Sequence, residues 1–446
     1  MKLQSNKMSL YFKEELPKEI SAFFNDSDYQ LKRDKFIERL KKNNAYEDDA
    51  ILNVSFLPRV IPRNYLEKVH QITKLFFKIF TSLLYKDTSQ VTNSIPPSRH
   101  NSFLLDRLNI LNHLADSTGL VRFDFAVEGP PTPDNPPKLL EINVLGVGGM
   151  SYGELSTKAL IETIPELSRF DPKLNPLEFL IYQLNGQGKQ VVAITKEWPN
   201  FRYSPCLDIA LLLKRSRKNS FNLYEVPREN LGILSFRNKK LYLNLEGELV
   251  PVDCVYLRNL DQTGDVIQHE DFIRQLLSSD VKINDSYVLQ LIENKGFLAT
   301  LADKSFRMQY LTREEDRIIS GTILESRVVD GIFTPSPGRL YVLKDLDEDG
   351  GRGVHFPDDV LKFIKSLRHP SNLLMQEKIR LNSLNVDTMW YGRKEAIVDL
   401  GIYVAYSIIG GELIYANLAG ILSRGGINNN LVNISKGGTI VPVLLS

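Results

Sequence analysis

Asp124, Glu141 and Asn143 are oxygen-bearing side chains set into apolar stretches, and their spacing is the first chemical signal in this chain. Arg122 and Asp124 stand two apart in "RFDF", as do Glu141 and Asn143 in "LLEIN". Alternate residues of a strand point to the same face, so each pair shares a face. If the two strands pair, one edge of a sheet carries two carboxylates and an amide, with Arg122 beside them. Magnesium takes hard oxygen ligands, commonly one or two protein carboxylates completed by phosphate oxygens and water. The planar fork of an arginine suits a terminal phosphate. The plainer reading is a solvated strand face with arginine–carboxylate pairs.

Other stretches add parts of a phosphate site. In "YVLKDLDEDGGRGVHF" a strand delivers Lys344 into a turn containing Gly350, Gly351 and Gly353. Glycines let backbone N–H groups approach an anion closely, and the lysine adds a compact charge. A simple hairpin turn at Asp349-Gly350 is the alternative. "LLMQEKI" ends in Gln376, Glu377 and Lys378, whose backbone could read a purine edge; a strand running out to solvent is the blander account. Lys295, in "IENKGFLATLADK", stands at an expected helix start, where N–H groups favour anions. An exposed helix lysine is its alternative. Arg424 opens a glycine-rich stretch, "SRGGINNNLVNISKGGT", of the kind that closes over ligands but also forms hairpins without function. Walker A spacing is missing, and "GVGG" at 146–149 lacks the third glycine of a dinucleotide fingerprint. The basic run "KRSRKNS" at 214–220 reads as a solvated helix end. His355 reads as a residue at the edge of the glycine loop.

The elements that must hold these residues are legible from periodicity. "PRNYLEKVHQITKLFFKIFTSLLYKD" has the apolar spacing of a long helix, and "FLLDRLNILNHLAD" of another. "LVRFDFAVEG" and "KLLEIN" are strands joined by the proline-stiffened "PPTPDNPP". Residues 189–285 alternate strand and helix as a small α/β module. After 286, "RLYVLKDL", "NLLMQEKI", "EAIVDLGIYVAYSII" and "ELIYANLAGIL" are expected to form an antiparallel sheet. The expected division is a helical region at 1–118, the metal hairpin at 119–188, the α/β module at 189–285 and the remaining sheet at 286–446.

At 446 residues the chain exceeds one ordinary core. Its 43% hydrophobic and 24% charged residues are globular values. A net charge of +1 offers no footprint for nucleic acid or an anionic membrane. No apolar run approaches the roughly 20 residues that span a bilayer, and the N-terminus has no secretory core. Cys206 and Cys254 are too few for a disulfide framework and read as buried thiols. These features predict a soluble cytoplasmic protein.

Taken together, these stretches resemble the circularly permuted ATP-grasp family, the group that includes the synthetase half of glutathionylspermidine synthetase. "FLPRVIPRNYLEKVHQ", the "RFDF…LLEINVLGVGG" hairpin, "VPVDCVYLRNLD", "IENKGFL", "VLKDLDEDGGRGV" and "NLVNISKGGT" carry the resemblance, in an order that places the metal hairpin before the lysines. It implies an α+β fold of circularly permuted ATP-grasp type with an inserted α/β, pre-ATP-grasp-like domain. It implies Asp124, Glu141 and Asn143 as Mg2+ ligands and Arg122 on the transferring phosphate. Lys295 and Lys344 would hold ATP phosphates under a lid containing Gly350, Gly351 and Gly353, with Gln376, Glu377 and Lys378 bordering adenine. Arg424 would assist at the phosphate, and Arg258, Ser435 and Lys436 would meet substrate. The chain departs from the family at "DLGIYV", where Gly401 replaces an arginine, at Asn259, and in an acidic lid.

The implied activity is ATP-dependent joining of a carboxylate to an amine through an acyl phosphate, on small-molecule or peptide substrates. An ATP-grasp-type kinase and a non-catalytic nucleotide-binding scaffold are the alternatives.

Overall fold

A computed structural model describes residues 12–25, 27–47, 50–96, 102, 104, 116–196, 206–258, 268–329, 339–346, 353–357, 360–366, 372–427, 432 and 438–446. The expected helix over "FLLDRLNILNHLAD" lies almost wholly outside these residues. So do Asn259, Gly350, Gly351, Ser435 and Lys436.

An 18-residue strand, Gly392–Ile409, organises the fold. Its length lets one edge serve two partners in turn. Ser383–Thr388 pairs antiparallel with its first part, and Ser117–Ala126 with its second. Glu412–Gly426 runs antiparallel along the other edge. Beyond Ser117–Ala126 the sheet continues in two ways. Lys138–Asn143 forms the expected hairpin. Lys282–Asn284 attaches through the single pair Asn284↔Thr118 and leads to Cys254–Leu257, Gln190–Thr195 and Asn222–Pro227, all parallel. The strands of the α/β stretch thus extend the main sheet, which has eleven strands among the described residues.

Alternation along the long strand divides the core. Leu400, Ile402 and Val404 join one apolar cluster, while Tyr403 and Ala405 join another. The first cluster is closed by the expected long helix, Arg63–Thr81. Its Phe76, Phe77 and Phe80 surround Phe123 at ring distances of 5.8, 6.0 and 6.3 Å. Phe123, the residue between Arg122 and Asp124, thereby anchors the strand that presents those two charges on its other face. Burial of such rings is the dominant favourable term in holding a strand in register.

The four C-terminal strands expected as one sheet fall into two. Tyr341–Asp345 and Leu373–Glu377 belong to a separate four-stranded antiparallel sheet with Ser326–Val328 and Val354–His355. Its core of Tyr341, Leu343, Leu373 and Met375 is its own. Hydrophobic alternation is the same in both sheets, so the sequence pattern could not separate them.

Arg59 ties the beginning of the chain to this frame. Its side chain is fully buried, pairs with Glu14 at 2.6 Å and donates to the Asp399 carbonyl at 2.8 Å. Glu14 lies on a two-residue strand, Lys13–Glu14, beside Ser383–Thr388. Removing one partner of a buried ion pair leaves an uncompensated charge, so Glu14→Ala should cost roughly 3–5 kcal/mol of stability in chemical denaturation. Replacing both residues by apolar ones should cost less than the single change.

Candidate active site

The hairpin brings its charged residues together as the spacing predicts. Asp124 lies opposite Glu141, and Arg122 opposite Asn143. The long strand adds its own residues in the same register, with Gly401 opposite Asp124 and Tyr403 opposite Arg122. Directly opposed residues share a face, so one patch of sheet collects the site.

Asp124 is its centre and is 1% exposed. Arg122 donates to Asp124 from Nε at 2.6 Å and Nη2 at 3.0 Å. Arg424 donates from Nη2 at 2.9 Å, and the Asn143 amide at 3.1 Å. Burial pushes the Asp124 carboxyl up, but the two guanidinium groups prevail and hold it well below the usual carboxylate range. Arg424 is itself fixed by Asp399, which accepts its backbone N–H at 3.1 Å and its Nε at 3.0 Å. Asp399 is 2% exposed, and burial raises its pKa against the pull of Arg424.

Gly401 leaves room for this pairing. A Cβ there would lie 3.2 Å from both Arg122 Cδ and Asp124 Oδ1. The space of the expected arginine is therefore filled by Arg122, and Arg424 reaches in from the neighbouring strand.

Lys344 meets the hairpin from the smaller sheet. Its Nζ donates to the Leu140 carbonyl at 2.9 Å. Burial lowers its pKa to about 8; Glu141 and Asp124 oppose that shift and Lys295 adds to it. The two predicted lysines and two predicted carboxylates thus fall within one electrostatic neighbourhood. Lys295 precedes Gly296, the N-cap of the short helix Phe297–Ala302. Gly353 has φ +40° and its carbonyl accepts the Asp345 N–H at 2.8 Å, closing the chain back onto the lysine strand. His355 lies 3.5 Å from Asp345 and against Phe363.

The Gln376–Lys378 stretch differs from the expectation of a free backbone. Leu373–Glu377 is flanked on both sides by strands. The N–H groups of Glu377 and Lys378 donate to the carbonyls of Glu325 and Leu340. What remains is the Gln376 side chain, 1% exposed, whose Oε1 has no hydrogen-bond partner among the described residues. Such a buried acceptor calls for a donor. Glu377 pairs with Arg339 at 3.0 Å, and Lys378 lies over Phe356.

Glycines 146–149 form a hub that the spacing did not reveal. Arg258 donates to the Gly146 carbonyl at 2.7 Å, while Arg122 and the Tyr403 hydroxyl donate to that of Gly148 at 2.9 and 2.8 Å. Asp208 accepts the N–H groups of Gly149, Met150 and Ser151, occupying the start of the helix Met150–Thr163. Asp399 could have been found from its alternation with Gly401; Asp208 had no local signal. In the basic run, Arg215 pairs with Glu154 and Glu178 at 2.9 Å, so it serves the fold.

The donor set suits magnesium chemically: Glu141 and Asp124 supply carboxylates and Asn143 an amide oxygen. Among the described residues no three acidic, His or Cys side chains cluster as a self-sufficient metal cage. That composition matches an ion shared with phosphate oxygens.

No protein-family model matches the chain. No curated protein matches it in sequence either. Among solved structures, a glutathione synthetase-like effector from Globodera pallida aligns over 98% of this chain and 100% of its own, with a TM-score of 0.72 and 14% identity. A candidate γ-glutamylcysteine synthetase from Methylobacillus flagellatus aligns over 78% of this chain and 88% of its own, at 11% identity and a TM-score of 0.31, too low to carry an argument. The chain thus has an α+β fold of the glutathione synthetase-like kind. Among the described residues, no helix is long and apolar enough to cross a membrane.

Because Lys344 titrates lower in the folded protein than in the unfolded chain, the unfolded state binds more protons above about pH 8. The cost of burying this charge is full below that pH and disappears as pH rises towards the unfolded value. The stability difference between Lys344→Met and the parent should therefore move in the parent's favour between about pH 8 and the ordinary lysine range, measured by urea titration at a series of pH values.

Proposed function

We propose that the protein is an ATP-dependent ligase that joins a carboxylate to an amine on a circularly permuted ATP-grasp fold. The observation that carries this reading is the convergence of Asp124, Glu141, Asn143, Arg122, Arg424 and Lys344 from two sheets onto one patch. The glutathione synthetase-like fold supports it, since that name belongs to an amide-forming activity.

In the proposed reaction a substrate carboxylate oxygen attacks the γ-phosphorus and the bond to ADP breaks. An amine nitrogen then attacks the acyl carbon and phosphate leaves. Magnesium, when bound, offsets phosphate charge. Glu141 and the Asn143 amide oxygen would hold it, with Asp124 as the further carboxylate. Arg122 and Arg424 are placed to neutralise the equatorial oxygens of the moving phosphoryl group, and Lys344 to hold its neighbour. Gln376, whose buried Oε1 lacks a donor, would accept from the exocyclic amine of a base. The protein supplies alignment and charge and forms no covalent bond.

A non-catalytic nucleotide-binding role is the second reading. Gly401, which stands where an arginine is expected beside Asp124, and the full occupancy of Asp124 favour it.

ADP release across a panel of amino acids and short peptides, with hydroxylamine as a trap for acyl phosphate, separates the readings. Glu141→Gln and Lys344→Met should each lower substrate-dependent ADP release by at least about 10²-fold, the scale for losing one electrostatic stabiliser. Near-native turnover by Glu141→Gln, or ATP binding with no acid consumed, would remove the ligase reading.

A further inference from the structure

We infer that Arg122 and Arg424 latch Asp124, and that a divalent cation gains this carboxylate only as a polyphosphate draws the guanidinium groups away. This inference rests on the nucleotide-binding reading above.

The bonding on Asp124 is the first ground. An ionised carboxylate offers about four acceptor positions. Two donors from Arg122, one from Arg424 and one from Asn143 fill them. A cation approaching this group must displace a guanidinium donor. Asn143 spends its amide nitrogen here, which leaves its carbonyl oxygen as the acceptor for a metal.

Charge is the second. Arg122, Arg424 and Lys344, with Lys295 in the same neighbourhood, already more than match Asp124, Asp399 and Glu141, and none of the seven is exposed. A divalent ion arriving alone would add two unmatched charges to this enclosed group, and such desolvated charge is costly. Arriving with a polyphosphate, it brings its own counter-charge, and the arginines gain phosphate oxygens that match their forks.

The third ground is that both arginines keep an anchor when they let go. Arg424 retains Asp399 through its backbone N–H and Nε, and Arg122 retains the Gly148 carbonyl through Nη1. Release is a local swing rather than an unfolding. Gly401 makes the closed position possible, because a Cβ there would press on Arg122 and Asp124 at 3.2 Å.

Mn2+ binding followed by electron paramagnetic resonance on the full chain tests the latch directly. Without nucleotide, Arg424→Gln should bind Mn2+ at least about tenfold more tightly than the parent, the scale of one hydrogen bond between charged groups. The parent should reach comparable metal binding only with a non-hydrolysable ATP analogue or tripolyphosphate, after correction for metal held by the free anion. Gly401→Ala, which crowds Arg122 without removing a charge, should shift Mn2+ affinity in the same direction and stands in should Arg424→Gln fail to fold. Unchanged Mn2+ affinity in a folded variant, or tight Mn2+ binding by the parent alone, overturns the latch. If the variants gain Mn2+ but neither the analogue nor tripolyphosphate binds any of the proteins, the arginine block on Asp124 stands, while its release by polyphosphate falls with the nucleotide reading. If the analogue binds with metal while the variants behave as the parent, the nucleotide reading stands and the latch falls.

Discussion

Two guanidinium groups closing on the buried carboxylate of Asp124 are the interaction around which the structure is arranged. Removing a carboxylate from water is expensive, and a chain that does so must surround it with donors. Here the donors come from three strands: Arg122 from the same strand, Asn143 across the hairpin, and Arg424 from beyond the long central strand. Each is in reach only while the register holds, because a slip of one residue would send these side chains to the opposite face. The aromatic packing of Phe123 under the helix Arg63–Thr81 and the pairing of the central strand are therefore conditions for the site.

The same constraint is carried outward through Asp399 and Arg59. Asp399 turns towards Arg424, and the Asp399 carbonyl accepts from Arg59, which Glu14 neutralises. A residue near the start of the described chain is thus coupled to one near its end through two buried arginines. The glycine hub at 146–149 works in a similar way, with carbonyls held by Arg122, Arg258 and Tyr403 and N–H groups held by Asp208. Backbone that would otherwise carry unsatisfied groups at depth becomes part of the charge network.

The smaller sheet contributes differently. It meets the hairpin through Lys344 on the Leu140 carbonyl, and the turn leading into it accepts the Leu139 N–H at the Thr322 carbonyl and the Lys138 ammonium at the Gly321 carbonyl. These are polar contacts along an otherwise open strand edge, where unpaired backbone groups are available. Such contacts place a cation against the two carboxylates; one face of that sheet keeps its own apolar core, while Leu374 on the other joins the larger one. A fold likeness at 14% identity shows the fold and lends the functional proposal only support, so its weight falls on this junction.

Spacing alone determined a good deal. The two-residue intervals in "RFDF" and "LLEIN" put Arg122 with Asp124, and Glu141 with Asn143, on one face of each strand, because alternation is a property of the backbone; pairing register then joined the two faces. The long helix, both hairpin strands and the buried thiols follow from local pattern in the same way. Other features needed the tertiary structure. Alternation could not say which strands share a sheet, so four C-terminal strands expected together lie in two. It could not show that the backbone of Glu377 and Lys378 is already paired. The direction of the Asp124 charge pairing was equally hidden, since Arg424 lies 300 positions away. Contacts between distant segments depend on strand order and register, which are settled by how whole faces bury themselves, and no short stretch of the chain encodes that alone.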